Sequence, residues 1–333
     1  PYTGIIKKTP YFKEIYDSFK TQVTSFRLLR RKAVTSYGIH NDRDMGDDIV
    51  RFQIPNIIDT IDPDVIIYNE GMFPAGPEGS TMVNDEYLET YTLDGVRGFD
   101  YNEMKSIVED ARKRYPNTEI ILNEMNYDTT IHNSSYHYVQ ACSNFADLGV
   151  DVQEGDYIFP FEGDVFHLES SRKEIQGYME QLEPNQGFKS IWIDFVQNQH
   201  YVEKYTLKPF EIKKDGRHRK ICIRFGDMDF YKDVTQNFMT QKYEMLFPTD
   251  LITYHYAWWR PGKYKDLRMK QLNRDFEPGH WDFFDECLEK MKNMEVEDEI
   301  LVRPHLEKWT NGWIKKYEFE HPKIIQNHEN WRK

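Results

Sequence analysis

The sequence predicts an α/β protein: a mostly parallel sheet with helices on both faces. Three observations lead there. Short apolar runs recur at KAVTSYGI, VIIY, EIIL and YIFPF, each followed by polar or glycine-containing punctuation. Between them lie segments whose apolar residues fall three and four positions apart, the spacing of a helix face. Finally, 333 residues that are 39% hydrophobic and 30% charged can bury a substantial core and lack the composition of a disordered chain.

The elements follow in order. Phe12, Ile15, Phe19, Val23 and Phe26 mark an amphipathic helix over 11–32, with Arg27, Arg30, Arg31 and Lys32 on its solvated face. Lys32 to Ile39 reads as a buried strand ending in the turn His40-Asn41-Asp42. A short helix spans Asp48 to Thr60, with Pro55 at a kink or break. Val65 to Tyr68 is a second strand, with Asn69, Glu70 and Gly71 at its end, and the prolines and glycines of 72–98 make a long loop. Asp100 and Glu103 form a capping box for a helix running to Pro116. Glu119 to Leu122 is a third strand. A helix capped by Ser134 or Ser135 and stopped by Gly149 leads to the fourth strand, Tyr157 to Phe161.

From about Lys189 the pattern shifts to longer aromatic strands, SIWIDFVQ and KICIRF, of α+β character. After Trp281 the chain reads as helical, then extended near His321 and Pro322. The organisation expected is an N-terminal helix (1–32), a ligand-binding half (33–188), an acceptor-side half (189–280) and a C-terminal helical extension (281–333).

Charge and cysteine usage exclude several classes. A net charge of −13 and a pI near 5.4 are unlike a nucleic-acid binder, whose affinity rests on phosphate contacts. Cys142, Cys222 and Cys287 have neither disulfide-framework nor metal-ligand spacing, which suits a reduced, cytoplasmic compartment. No apolar stretch reaches the length of a membrane span, and PYTGIIKKTP lacks an apolar signal core. The 22 Tyr and 21 Phe supply core area and can also line a sugar or base pocket.

The segment that carries chemistry is GDYIFPFEGDVFHLES, Gly155 to Ser170. Its strand ends in Glu162-Gly163-Asp164, two carboxylates two residues apart and therefore on one side of an extended chain. Carboxylates at the carboxyl end of a sheet strand suit Mg²⁺ or Mn²⁺ holding a diphosphate. An acidic, solvated turn is the plainer alternative.

The run LGVD…GDYIFPFEGD.F, with the preceding SSYHYVQACSNFADLGV, resembles the family 2 glycosyltransferases, enzymes of the GT-A (Rossmann-like) fold. Asp64 to Ser80 resembles their second strand, ITYHYAWWR at Ile252 to Arg260 the strand that carries a metal-ligand histidine, and YEFEHPKII a recurring C-terminal segment. The resemblance implies a metal-dependent transferase, with a UDP- or GDP-sugar as donor and a glycan or other hydroxyl as acceptor. It implies Glu162, Asp164 and His255 as ligands of Mn²⁺ or Mg²⁺, and Asn69, Glu70, Glu162 and Asp164 on the nucleotide. The base falls in GDMDF at Asp227 or Asp229, with Asp194, Glu203, Glu244 and Asp250 as rivals. The chain departs from the family in having Glu162 where Asp is usual, and in an opening strand without an Asn-Glu pair. His255, flanked by Tyr254, Tyr256, Trp258 and Trp259, reads equally as a packed core residue.

Two other classes compete. Asn69-Glu70 and Asn123-Glu124, each after an apolar strand, resemble the Asn-Glu of retaining glycoside hydrolases on a (β/α)₈ barrel. A non-catalytic carbohydrate-binding protein would use the aromatics as a sugar platform.

Overall fold

The computed structural model describes residues 32–37, 43–71, 101–125, 143–163, 165–196, 201–203, 218–236, 245–258, 290, 293–295, 298–301 and 313–327. The helix expected over 11–32 lies outside them except for Lys32, which opens β1 (Lys32–Tyr37). Lys32 is buried, not solvated: its Nζ donates to the Ile61 carbonyl at 2.8 Å and its N–H to Asp64 Oδ2 at 3.0 Å. Burial lowers the pKa of its ammonium.

The helix expected around Pro55 is longer than its pattern suggested. It forms α1 (Arg43–Thr60) and continues through the proline, which forfeits one intrahelical hydrogen bond. Then come β2 (Val65–Gly71), α2 (Tyr101–Arg114), β3 (Glu119–Met125) and β4 (Tyr157–Glu162). Gly149, at φ 72°, ends a 3₁₀ turn at Ala146–Leu148 ahead of β4. β3, β2, β1 and β4 lie side by side and parallel.

Beyond β4 the sheet is not the expected one. β5 (Val165–Phe166), α3 (Arg172–Glu180), β6 (Gln186–Val196), β7 (Tyr201–Glu203), β8 (His218–Arg224), α4 (Met228–Gln236) and β9 (Leu246–Trp258) follow, then β10 (Glu299–Leu301) and β11 (Trp313–Lys316). Six of the ten strand ladders among the described residues are antiparallel, so the sheet is mixed. This overturns the mostly parallel, Rossmann-like expectation, and with it the (β/α)₈ barrel. The reason is physical: a buried apolar run such as KICIRF has the same periodicity whichever way its neighbour runs. Most of the region read as helical after Trp281 lies outside the described residues; those described are Lys290, which is α-helical, and the residues of β10, β11 and the 3₁₀ turn Ile325–Asn327 with their flanks.

Alternation along the strands builds two core layers. Ile66, Tyr157 and Phe159 meet Ile54 and Ile57 of α1, Val108 of α2 and Ile175 of α3. Their sequence neighbours Ile67 and Ile158, with Ile223, pack instead with Phe145 and with Tyr231 and Val234 of α4. A third cluster joins Phe166, Phe195, Tyr254, Tyr256 and Tyr317, with Phe195 and Tyr256 stacked at 4.7 Å. The segment around His321 closes over it: Tyr256 Oη and His321 Nδ1 share a 3.0 Å hydrogen bond, and the Glu169 carboxylate accepts the N–H groups of Lys323 and Ile324 at 3.2 Å each. No helix among the described residues is long and apolar enough to cross a membrane.

Two features make the sheet curl. β5 begins three residues after the end of β4, yet pairs with β9, which lies beyond β8 and β6. Three chain steps span at most about 11 Å, whereas four flat strand spacings need about 19 Å. The strands between must therefore bend toward β5. Pro160 assists from the other side: with no N–H to donate, it lies where β4 has already left β8, whose ladder covers only Tyr157 and Ile158. The β1 ladder continues to Glu162.

The crowded start of β6 offers a direct test of this packing. A Cβ on Gly187 would lie 2.5 Å from the Cys222 carbonyl oxygen and 2.7 Å from the Leu246 side chain. Gly187→Ala is expected to destabilise the protein by about 2 kcal/mol, measured by urea denaturation.

Candidate functional site

β4 ends at Glu162, Gly163 is buried, and β5 resumes at Val165. Asp164 lies outside the described residues, as do the side chains of Glu162 and Glu70. The backbone register nevertheless fixes what adjoins this turn. Val165 pairs with His255 across β5 and β9, and His255 pairs with Asp194 across β9 and β6.

His255 and Asp194 are both buried and hydrogen-bonded through Nδ1 and Oδ1. A carboxylate only accepts, so Nδ1 carries the proton toward Asp194, and when the ring is neutral its lone pair sits on Nε2. The edge-on ring of Trp192, 4.9 Å away, restrains the imidazole further. A histidine oriented in this way can ligate a metal through Nε2 or take a proton there.

At the parallel end of the sheet, Glu162 is in register with Tyr37, Tyr37 with Asn69, and Asn69 with Asn123. Asn69 is buried, and its Oδ1 accepts from Asn123 Nδ2 at 2.8 Å. That amide ties β2 to β3. Glu70 follows at the end of β2, in backbone register with Glu124.

Asp227 and Asp229 are not brought to this place. β8 runs antiparallel to β4, and its last residue, Arg224, pairs with Tyr157 at the start of β4. Both aspartates thus lie near the opposite edge of the sheet, five residues from Glu162 along β4, or about 16 Å. Asp227 acts as a helix cap there. Its carboxylate accepts the Phe230 N–H at 2.8 Å and the Asn185 side-chain amide at 2.6 Å, which together hold its pKa down. Asp229, in the first turn of α4, is exposed. In the sequence, an aspartate immediately before a helical run signals a cap as readily as a base.

Sequence reasoning gave Asp194 only a rival's place and missed three other residues. The signal for Asp194 was a lone acid inside the apolar strand SIWIDFV, which needs a partner when buried. On α1, Gln53, Asn56 and Thr60 are buried beside Val50, Ile54, Ile57 and Ile61, where polar side chains need partners. Asn56 Nδ2 donates to the His167 carbonyl at 2.7 Å, and the His167 N–H returns to Asn56 Oδ1 at 2.9 Å. Gln53 Nε2 donates to the Val165 carbonyl at 3.0 Å and its Oε1 accepts the Tyr68 hydroxyl at 2.6 Å. His167 is fully buried: its Nδ1 donates to the Ile252 carbonyl at 3.3 Å, and Nε2 has no hydrogen-bond partner.

No family model and no curated protein matches the chain. Among solved structures it is similar to a mannose-1-phosphate geranyltransferase from Thermus thermophilus. The identity is 9%, the match covers 80% of this chain and 66% of that one, and the TM-score is 0.27. A likeness of that degree carries no argument about fold or chemistry.

His167 supplies a pH test. Burial without a partner for Nε2 lowers its pKa to about 4 from 6.5, so the unfolded chain binds the proton more readily than the native state. The resulting stabilisation is complete above pH 6.5 and is lost as pH falls toward 4, by up to about 3 kcal/mol. Urea denaturation at pH 7 and pH 4.5 should show a larger loss for the wild type than for His167→Gln.

Proposed function

We propose that this chain is a divalent-metal-dependent transferase that moves a sugar from a UDP- or GDP-sugar to a glycan or other hydroxyl acceptor. The observation that carries the reading is the pairing of Val165, the residue after Glu162-Gly163-Asp164, with a histidine held by a buried carboxylate. In this reading Glu162, Asp164 and His255 hold Mn²⁺ or Mg²⁺, and the imidazole favours Mn²⁺. Among the described residues no three such side chains cluster as a metal site, and the two carboxylates in question lie outside that set. The donor chemistry fits a hard divalent ion. Asp194 accepts the Nδ1–H of His255 and so presents Nε2 as the ligand atom, the usual arrangement of a carboxylate behind a metal-binding histidine. A bound divalent cation would neutralise the charge of the departing diphosphate. Asn69 and Glu70, at the end of β2, take the nucleotide side by resemblance. No base is assigned to Asp227 or Asp229, which lie toward the other edge of the sheet.

The Asp194–His255 pair favours one second reading: an acid–base dyad in which Nε2 takes the acceptor's proton without a metal. Thermal shift with UDP and GDP, each with and without MnCl₂, separates the two. The metal reading expects a raised melting temperature only when nucleotide and Mn²⁺ are both present. Asp164→Asn should abolish that shift with the circular dichroism spectrum unchanged, and Asp194→Asn should weaken Mn²⁺ binding by about 10–100-fold. A nucleotide-induced shift of equal size without Mn²⁺, or one that survives Asp164→Asn, would sink the assignment.

A further inference from the structure

β5 is a two-residue strand that pairs, among the described residues, with β9 alone. In an antiparallel pair, alternate residues turn both backbone polar groups toward the partner strand and the residues between turn theirs away. The outward groups belong to Val165 and His167, and α1 receives them. Asn56 makes a two-point contact with His167, N–H and carbonyl alike, and Gln53 takes the Val165 carbonyl. These side-chain amides occupy the place of a neighbouring strand's peptide groups. Gln53 is in turn held by the Tyr68 hydroxyl of β2, so β5 is tied to the parallel end of the sheet through α1.

We infer that Gln53 and Asn56 are positioning residues for the His255 site. A strand of two residues has too few ladder bonds to fix its own register. Its placement against His255 rests on the amides at its outer edge. Loss of either lets Val165 shift relative to β9 and relaxes the Asp194–His255 geometry beside it. The functional consequence rests on the metal reading given above; the geometric one does not.

The test compares Asn56→Ala and the milder, nearly isosteric Gln53→Met with Ile57→Val, a core substitution on the same helix. Three quantities are read: hydrogen exchange of the His167 amide, the NMR resonance of the His255 Nδ1 proton, and Mn²⁺ affinity by calorimetry. In Asn56→Ala the His167 amide should exchange at least about 100-fold faster. The His255 resonance should shift or broaden in both polar variants, and Mn²⁺ should bind at least about tenfold more weakly. Ile57→Val should lower the melting temperature and leave the His255 resonance unmoved. A His255 resonance unchanged in both polar variants overturns the inference, as does Ile57→Val reproducing their effect at an equal loss of melting temperature. Absence of Mn²⁺ binding by the wild type would overturn the metal reading alone, and the resonance would then decide the positioning role by the same criterion.

Discussion

The pairing of β5 with β9 is the contact on which the rest of the arrangement depends. The chain leaves β4 at Glu162 and, three residues later, is hydrogen-bonded to a strand that lies beyond β8 and β6 in the sheet. The length of the polypeptide permits this only if those strands curl. Curling brings the acidic turn and the Asp194–His255 pair together, although 61 residues separate Asp194 from His255 and a further stretch separates both from Glu162. Pro160 serves the same end by stopping β4 from pairing with β8 along its whole length.

A curled sheet with a very short closing strand leaves backbone groups that need partners, and the protein meets this need with buried polar side chains. Gln53 and Asn56 serve β5, Asn69 and Asn123 join β2 to β3, and Lys32 satisfies the Ile61 carbonyl. Each is hydrogen-bonded, as a buried polar group must be if its desolvation is to be offset. His167 differs from these, with a buried Nε2 that lacks a hydrogen-bond partner, and it consequently resists protonation. The same low-polarity surroundings strengthen the Asp194–His255 hydrogen bond and hold the ring in one tautomer.

The two ends of the sheet hold different sets of polar residues. The end where β4 finishes gathers Glu162, Asn69, Glu70 and the histidine pair. The end where β4 begins is given to structure: Asp227 and Asn185 cap α4 there, and Gly187 admits β6 between β8 and β9. Acidic residues are abundant along the whole chain, so an aspartate after a strand says little until the strand's direction is known.

The sequence by itself determined the local elements wherever their signals are local. The apolar runs at Ala33, Val65, Glu119 and Tyr157 are strands, Gly149 turns with positive φ before β4, and the acidic turn follows a buried strand, because periodicity and steric limits act within a few residues. Tertiary structure alone decided strand direction, curl and the company each polar residue keeps. Antiparallel and parallel neighbours bury the same side chains, so KICIRF could not announce that it runs against β4. Nothing near Gln53 and Asn56 in the sequence marks the carbonyls of Val165 and His167 that they bond more than 100 residues away, and Asp194 read as one acid among several until β9 set His255 beside it. Hydrogen bonds over such separations leave no period in the sequence. They exist only once the fold has brought their donors and acceptors together.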